Sequence, residues 1–146
     1  MRTVKDILQE KGFDVLTIAA DSKVFEALQM MADHNVGALM VADQGGTVGL
    51  FSERDYARKI VLKGKSSKNV LVNEIMTPAA DMIRVGPDED VEGCMEVMTD
   101  KRVRHLPVFE GDRLVGIVSI GDIVKTIIQH KEEVIEQLEN FIKGKR

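Results

Sequence analysis

The chain has 146 residues, 44% of them hydrophobic and 30% charged, with a net charge of −4 and a single cysteine, Cys94. That length suits one compact unit or two small modules sharing a core, because a piece of about 60 residues alone buries too little surface to be more than marginal. The acidic balance weighs against broad nucleic-acid or anionic-membrane binding, no apolar run approaches the ~20 residues that span a bilayer, and one cysteine excludes an intrachain disulfide framework.

In chain order, a short apolar helix comes first, Val4 to Leu8, then an extended segment, Leu16-Thr17-Ile18. Asp21 is placed to cap a second helix, on which Val24, Ala27, Leu28 and Met31 recur at helical spacing. A strand at Gly37–Val41, a turn at Asp43-Gln44-Gly45-Gly46 and a partner strand at Val48–Phe51 make a hairpin. A helix carrying Tyr56, Ile60 and Val61 closes the set, and the polar stretch from Lys63 to Asn69 reads as a connecting loop.

The order then repeats. A shift of 67 residues lays Asp21 on Asp88, Val24 on Val91, Met31 on Met98, Leu39 on Leu106, Gly49 on Gly116, Ser52 on Ser119 and Asp55 on Asp122, with no gap from about Thr17 to Leu62. The second copy has a lead-in helix, Val72 to Met76, stopped at Thr77-Pro78, and an extended segment, Met82 to Val85. Asp88 is its expected helix cap, with Glu89 and Asp90 in the first turn; Val91, Cys94, Met95 and Met98 form the apolar face. Strands at His105–Phe109 and Leu114–Val118 flank a turn at 110–113, and Ile123, Val124, Ile127 and Ile128 mark the closing helix. Beyond them Val134, Ile135, Leu138, Phe141 and Ile142 continue an apolar stripe, interrupted near Lys131 and ended by Gly144. The stripe exceeds what the repeat needs. It reads as a subunit interface or as packing back on its own chain.

The stretch Gly116-Ile117-Val118-Ser119-Ile120-Gly121-Asp122, its copy at Gly49–Asp55, the upstream Arg104-His105-Leu106-Pro107-Val108 and the lead-in Glu74-Ile75-Met76-Thr77-Pro78 resemble a tandem pair of cystathionine-β-synthase (CBS) domains, a Bateman module. The resemblance covers roughly Val4 to Gln129 and is closest to small stand-alone CBS-pair proteins of prokaryotes. It implies an α+β fold of two β-α-β-β-α repeats packed about a pseudo-twofold axis, here 1–66 and 67–130, with a helical extension at 131–146. It also implies adenosine ligands in clefts between the repeats, and dimers.

The residues fit such a ligand. A carboxylate can accept from both vicinal hydroxyls of a ribose, and Asp55 and Asp122 stand in a helix's first turn where they could do so. Ser52 and Ser119 are placed for ribose or phosphate, and Gly49 and Gly116 for close approach of the backbone. Leu16, Ile18, Ala38, Met40, Ile83 and Val85 are candidates for an adenine slot, and Thr17, Pro107 and Gly121 are further ligand-binding candidates. Arg54 and Arg58 in copy one, and Arg102, Arg104 and His105 in copy two, are candidates for phosphate. Gly121 stands in copy two where copy one has Arg54, and Arg104-His105 stand where copy one has Gly37-Ala38, so two inequivalent sites are expected. The competing reading makes each Ser-x-x-Asp only a helix cap.

The expected function is therefore a regulatory sensor of AMP, ATP or NAD, acting without catalysis on an unidentified partner as a cytoplasmic homodimer. No phosphate-loop, dinucleotide or zinc-ligand pattern and no catalytic triad is present. A purely structural dimerisation module and, less favoured, a nucleic-acid-binding protein are the alternatives.

Overall fold

A computed structural model of the chain describes residues 2–144. The fold is mixed α+β with two tandem repeats and a long C-terminal helix. The last two residues of the extension expected at 131–146 lie outside the described part.

The chain forms two compact units, residues 14–83 and residues 1–13 with 84–146. Each unit takes its lead-in segment from the other repeat. In the first, β1 (Thr17–Ala19), α2 (Val24–His34), β2 (Ala38–Asp43), β3 (Gly46–Ser52) and α3 (Glu53–Tyr56), which runs into a π-helical turn at Ala57–Val61, are joined by α4 (Val72–Ile75) and β4 (Thr77–Pro78). The sheet order is β1-β2-β3-β4, with β1 parallel to β2 and the other pairs antiparallel. Its core is Ile18, Val24, Ala27, Met31, Leu39, Val41, Phe51 and Ile60, completed from the lead-in by Val70, Val72 and Ile75.

The other unit joins α1 (Val4–Lys11) to α5 (Val91–Lys101), β5 (His105–Glu110), β6 (Arg113–Ser119) and α6 (Ile120–Ile142). Val4, Ile7 and Leu8 are buried there, as are Val91, Cys94, Met98, Leu106, Val108, Val118 and Ile123. The same backbone bonds dock both lead-ins. Val4 N–H donates to Glu89, Lys5 N–H to Pro87 and Val91 N–H to Arg2; in the first unit Val72 donates to Ser22, Asn73 to Ala20 and Val24 to Val70.

This docking moves the helix starts. Neither Asp21 nor Asp88 is a cap: α2 is capped at Lys23 and α5 at Asp90, whose side chain accepts from Gly93 N–H. Lys23 and Asp90 are held extended in bridges to Leu71 and Thr3, so the helices begin only after them. The second extended segment is also shorter than expected, a single parallel bridge between Val85 and Val108. In copy one, Met40 N–H donates to Leu16 and Ala20 N–H to Ala42. Their counterparts are Pro107 and Pro87, which have no N–H to give.

Ile123 lies on the inward face of α6 as expected, with Thr126 beside it, whereas Val124 and Ile128 are exposed. No helix among the described residues is long and apolar enough to cross a membrane.

Candidate functional site

Each hairpin delivers its second strand directly into a helix. Ser52 ends β3 and caps α3; Ser119 ends β6 and caps α6. The start of the helix is tied to the start of the hairpin, since Glu53 N–H donates to Gly37 and Ile120 N–H to Arg104. Both junctions are closed reciprocally. Asp55 N–H donates to Ser52 Oγ at 3.3 Å, and Ser52 N–H returns to Asp55 Oδ2 at 3.0 Å. Asp122 N–H donates to Ser119 Oγ at 3.2 Å, and Ser119 N–H to Asp122 Oδ2 at 2.8 Å. These are capping boxes, so the aspartates have a structural role in their own helices.

A lysine sits on each carboxylate. Lys59 Nζ lies 3.1 Å from Asp55 Oδ1 and donates to the Ile75 carbonyl. Lys11 Nζ lies 2.7 Å from Asp122 Oδ2 and donates to the Ile117 carbonyl. The two lysines are not equivalent in the repeat: Lys59 aligns with Thr126, and Lys11 belongs to a lead-in helix. Neither was among the residues expected from sequence, because repeat alignment singles out shared positions. Burial alone would raise the Asp122 carboxyl, but the hydrogen bonds from Lys11 and Ser119 N–H and the lysine charge outweigh it and hold the group below its ordinary value. Asp55 is only 8% exposed.

In the 14–83 unit, Thr17 pairs beside Met40 and Ala38 beside Ser52. Ala38 and Met40 are buried on the strand face opposite Leu39 and Val41, which point into the core. Ile18 belongs to that core. Arg54 and Arg58 are exposed, Arg54 in the first turn after Ser52 and Arg58 in the π-helical turn. Ile83, half-buried, ends this unit, so it is not grouped with Val85. A shallow groove of about 420 Å³ runs between β1 and α2 past Thr17, Ile18, Glu26, Asp33 and His34. It does not include Asp55, and two carboxylates in its wall suit a phosphate poorly.

In the other unit His105 pairs with Ser119, next to Asp122. Burial, then the charge of Lys11 and that of Arg104, push the His105 pKa down, against the pull of Asp122. Pro107 is buried and its carbonyl accepts from Val85 N–H. Arg104 is exposed beside the junction. Arg102 is also exposed, but its backbone ends α5 in the left-handed conformation (φ 55°), as Asn35 ends α2 (φ 52°). Gly121 lies exposed in the first turn of α6. Arg84, which the sequence reading passed over, stands at the position of Thr17 and stacks 4.0 Å from the Phe109 ring centre.

The two glycines serve packing inside the fold. A Cβ on Gly49 would lie 2.6 Å from both Met76 Sδ and the Thr77 carbonyl; one on Gly116 would lie 2.7 Å from a Leu8 methyl. The close approach they permit is by the exchanged lead-in segments.

A family model for the CBS domain matches residues 4–62 and 72–129. The chain belongs to the CBS-domain family. A curated relative, the CBS domain-containing protein CBSX3, mitochondrial, of Arabidopsis thaliana, is 38% identical over 97% of this chain and 72% of its own length. A solved structure of a protein with CBS domains from Burkholderia ambifaria MC40-6 is 43% identical, with a TM-score of 0.82 over 88% of this chain and 95% of that one. The CBS domain pair of protein MJ0100, solved in complex with 5′-methylthioadenosine and S-adenosyl-L-methionine, is 29% identical, with a TM-score of 0.73 over 86% of this chain and 99% of that one. CBS-pair proteins are regulatory or signal-transduction modules, and stand-alone pairs are generally regulatory.

Proposed function

We propose that this CBS-pair protein is a regulatory module that binds an adenosine-containing ligand of the AMP, ATP, NAD or S-adenosylmethionine class and does no chemistry on it. The observation that carries the reading is the recurrence of one strand-to-helix junction in both units. Each has a serine, a carboxylate three residues on and arginines nearby, Arg54 and Arg58 in one and Arg104 with His105 in the other. The MJ0100 complex supports the ligand class, since that pair holds two adenosine compounds. A ribose would compete with the lysine for the carboxylate, and a phosphate would be met by the arginine forks.

The absence of catalysis is part of the proposal. Cys94 is buried, and burial followed by the charges of Glu89 and Asp90 pushes its thiol up to about 11, the reverse of an activated nucleophile. Among the described residues no group of three or more His, Cys, Asp and Glu side chains is arranged to hold a metal. The capping boxes favour the second reading, a purely structural dimerisation module in which Asp55 and Asp122 only finish their helices.

Isothermal titration with AMP, ATP, NAD and S-adenosylmethionine separates the two. Binding heat with at least one of them, weakened in Asp122→Asn or Asp55→Asn, is expected. No heat with any of the four rejects the sensor and leaves the structural module.

A further inference from the structure

The two lead-in helices are fastened differently at their two ends. At the start both are held by backbone bonds, from Val4 and Lys5 to Glu89 and Pro87 in one unit, and from Val72 and Asn73 to Ser22 and Ala20 in the other. At the end each involves an ammonium group. Lys59 Nζ joins Asp55 Oδ1 to the carbonyl of Ile75, the last residue of α4. Lys11 is itself the last residue of α1, and it reaches Asp122 Oδ2 at 2.7 Å and the Ile117 carbonyl at 3.0 Å. In both units the carboxylate of the strand-to-helix junction is thus linked to the end of the lead-in, although the two lysines come from positions the repeat does not share.

The two links differ in what backs them up. Helix α4 is followed at once by β4, whose Thr77 and Pro78 pair with Leu50 and Gly49. Among the described residues the β5–β6 sheet gains no such strand from the segment after α1. There Gly12 turns the chain at a φ of 106°, Phe13 is exposed, and Asp14 opens the other unit. Ile7 and Leu8 anchor the body of α1 by burial, and Lys11 holds its end.

We propose that Lys11 is a ligand-released latch on α1: a diol that takes the Asp122 carboxylate displaces Lys11 and frees the end of the lead-in. The inference rests on the reading of Asp122 as a ribose acceptor. Asp122 Oδ2 accepts from both Lys11 Nζ and Ser119 N–H, which uses both of its lone pairs. Two vicinal hydroxyls that bridge the carboxylate need one of them back. The Ser119 bond belongs to the capping box, whereas the Lys11 side chain is 36% exposed and carries its charge on a flexible stem that can swing into water. The lysine is therefore the partner that yields. At Asp55 the lysine sits on Oδ1, the oxygen Ser52 does not use, and β4 still holds the lead-in if Lys59 leaves. The device thus belongs to Asp122 and α1.

Amide hydrogen exchange resolved by NMR tests the latch. Lys11→Met keeps the aliphatic stem and removes the ammonium. In the ligand-free protein, loss of this part-exposed ion pair is expected to speed exchange about two- to fivefold at Leu8 to Gly12, with Val4 and Lys5 unchanged. Wild-type exchange at Leu8 to Gly12 in that variant overturns the proposal. AMP, ATP, NAD and S-adenosylmethionine are then each added to the wild-type protein, with titration heat as the independent measure of binding. A ligand that binds is expected to speed the same amides by a similar factor, while Met76 N–H at the end of α4 keeps its protection. Binding heat with those amides unchanged or slowed overturns the latch and spares the sensor reading; no heat with any of the four rejects the sensor, and the latch loses its trigger with it. Adenosine supplies the sign. It has the diol but no phosphate for Lys11 to attract, and coupling is reciprocal, so it is expected to bind Lys11→Met about two- to fivefold more tightly than wild type. Weaker or equal binding would make Lys11 a ligand contact or a bystander, and overturns the proposal.

Discussion

Asp122 finishes its own helix, so removing it tests stability before it tests ligand binding. Asp122→Ala deletes the acceptor for Ser119 N–H and the partner of Lys11. The N-cap bond from Asp122 N–H to Ser119 remains, and loss of a hydrogen bond to a charged acceptor costs about 1.5–3 kcal/mol, which we expect, at the lower end, in urea unfolding of the ligand-free protein. Asp122→Asn keeps an acceptor for Ser119 and should cost less; it is therefore the better variant for ligand titration. Equal stability of Asp122→Ala and wild type would mean that the box contributes nothing. His105 makes a separate prediction. Its folded pKa lies below its ordinary 6.5 through burial, then the charge of Lys11. Across that interval the unfolded chain binds more protons, so stability rises with pH and is lost as pH falls below about 6.5. The Asp122 carboxyl is also held low, and its contribution is lost only further down, below the ordinary 3.8. Urea midpoints measured across each window should show two separate losses, and His105→Gln should flatten the upper one alone. Persistence of the upper slope in that variant would assign it to another group.

At the scale of elements, both hairpins and the helices flanking them were legible in the sequence, because the 67-residue repeat let each copy vouch for the other. What was not legible came from outside the repeat. The helix starts at Val24 and Val91 follow from bridges to the lead-ins, and the lost strand around Val85 follows from Pro107 on the neighbouring strand and Pro87 two residues further along the same segment. Lys11 and Lys59 reach equivalent aspartates from inequivalent places, so no alignment of the copies could nominate them. The glycines were legible as points of close approach, and the segments that approach them are the lead-ins. Their contacts predict different costs. Alanine at Gly49 meets a backbone carbonyl, Thr77 O, and the pairing of Gly49 with Pro78 in the β3–β4 ladder leaves that carbonyl little room to move. Alanine at Gly116 meets the side chain of Leu8 first, at its two methyls and Cγ. Overpacking costs roughly 1–3 kcal/mol, and we expect Gly49→Ala at the upper end and Gly116→Ala at the lower. Leu8→Val should recover part of the Gly116→Ala loss, measured by thermal or urea unfolding. The reverse order would show that the β3–β4 pairing yields more easily than a buried leucine.

For the whole molecule, the consequence of exchanged lead-ins is that neither compact unit coincides with one sequence repeat. The core of the 14–83 unit includes Val70, Val72 and Ile75, all beyond the end of the first repeat. Burying each such side chain is worth about 1.5–3 kcal/mol, so the three together are comparable to the 5–15 kcal/mol by which a domain is stable at all. A fragment of residues 1–66 lacks them. It also carries α1, whose Val4, Ile7 and Leu8 are buried in the other unit and would be left in water. A fragment of residues 14–83 keeps all eleven members of its core cluster and the docking bonds from Val24, Val72 and Asn73. At about 70 residues it is small enough to be marginal, but its apolar side chains are accounted for. We therefore expect the 14–83 fragment to unfold cooperatively in urea with native-like circular dichroism. The 1–66 fragment should show a broad, low-amplitude transition or aggregate. Equal cooperativity in the two fragments would mean that the lead-in contributes little to its host core and that the repeat folds by itself.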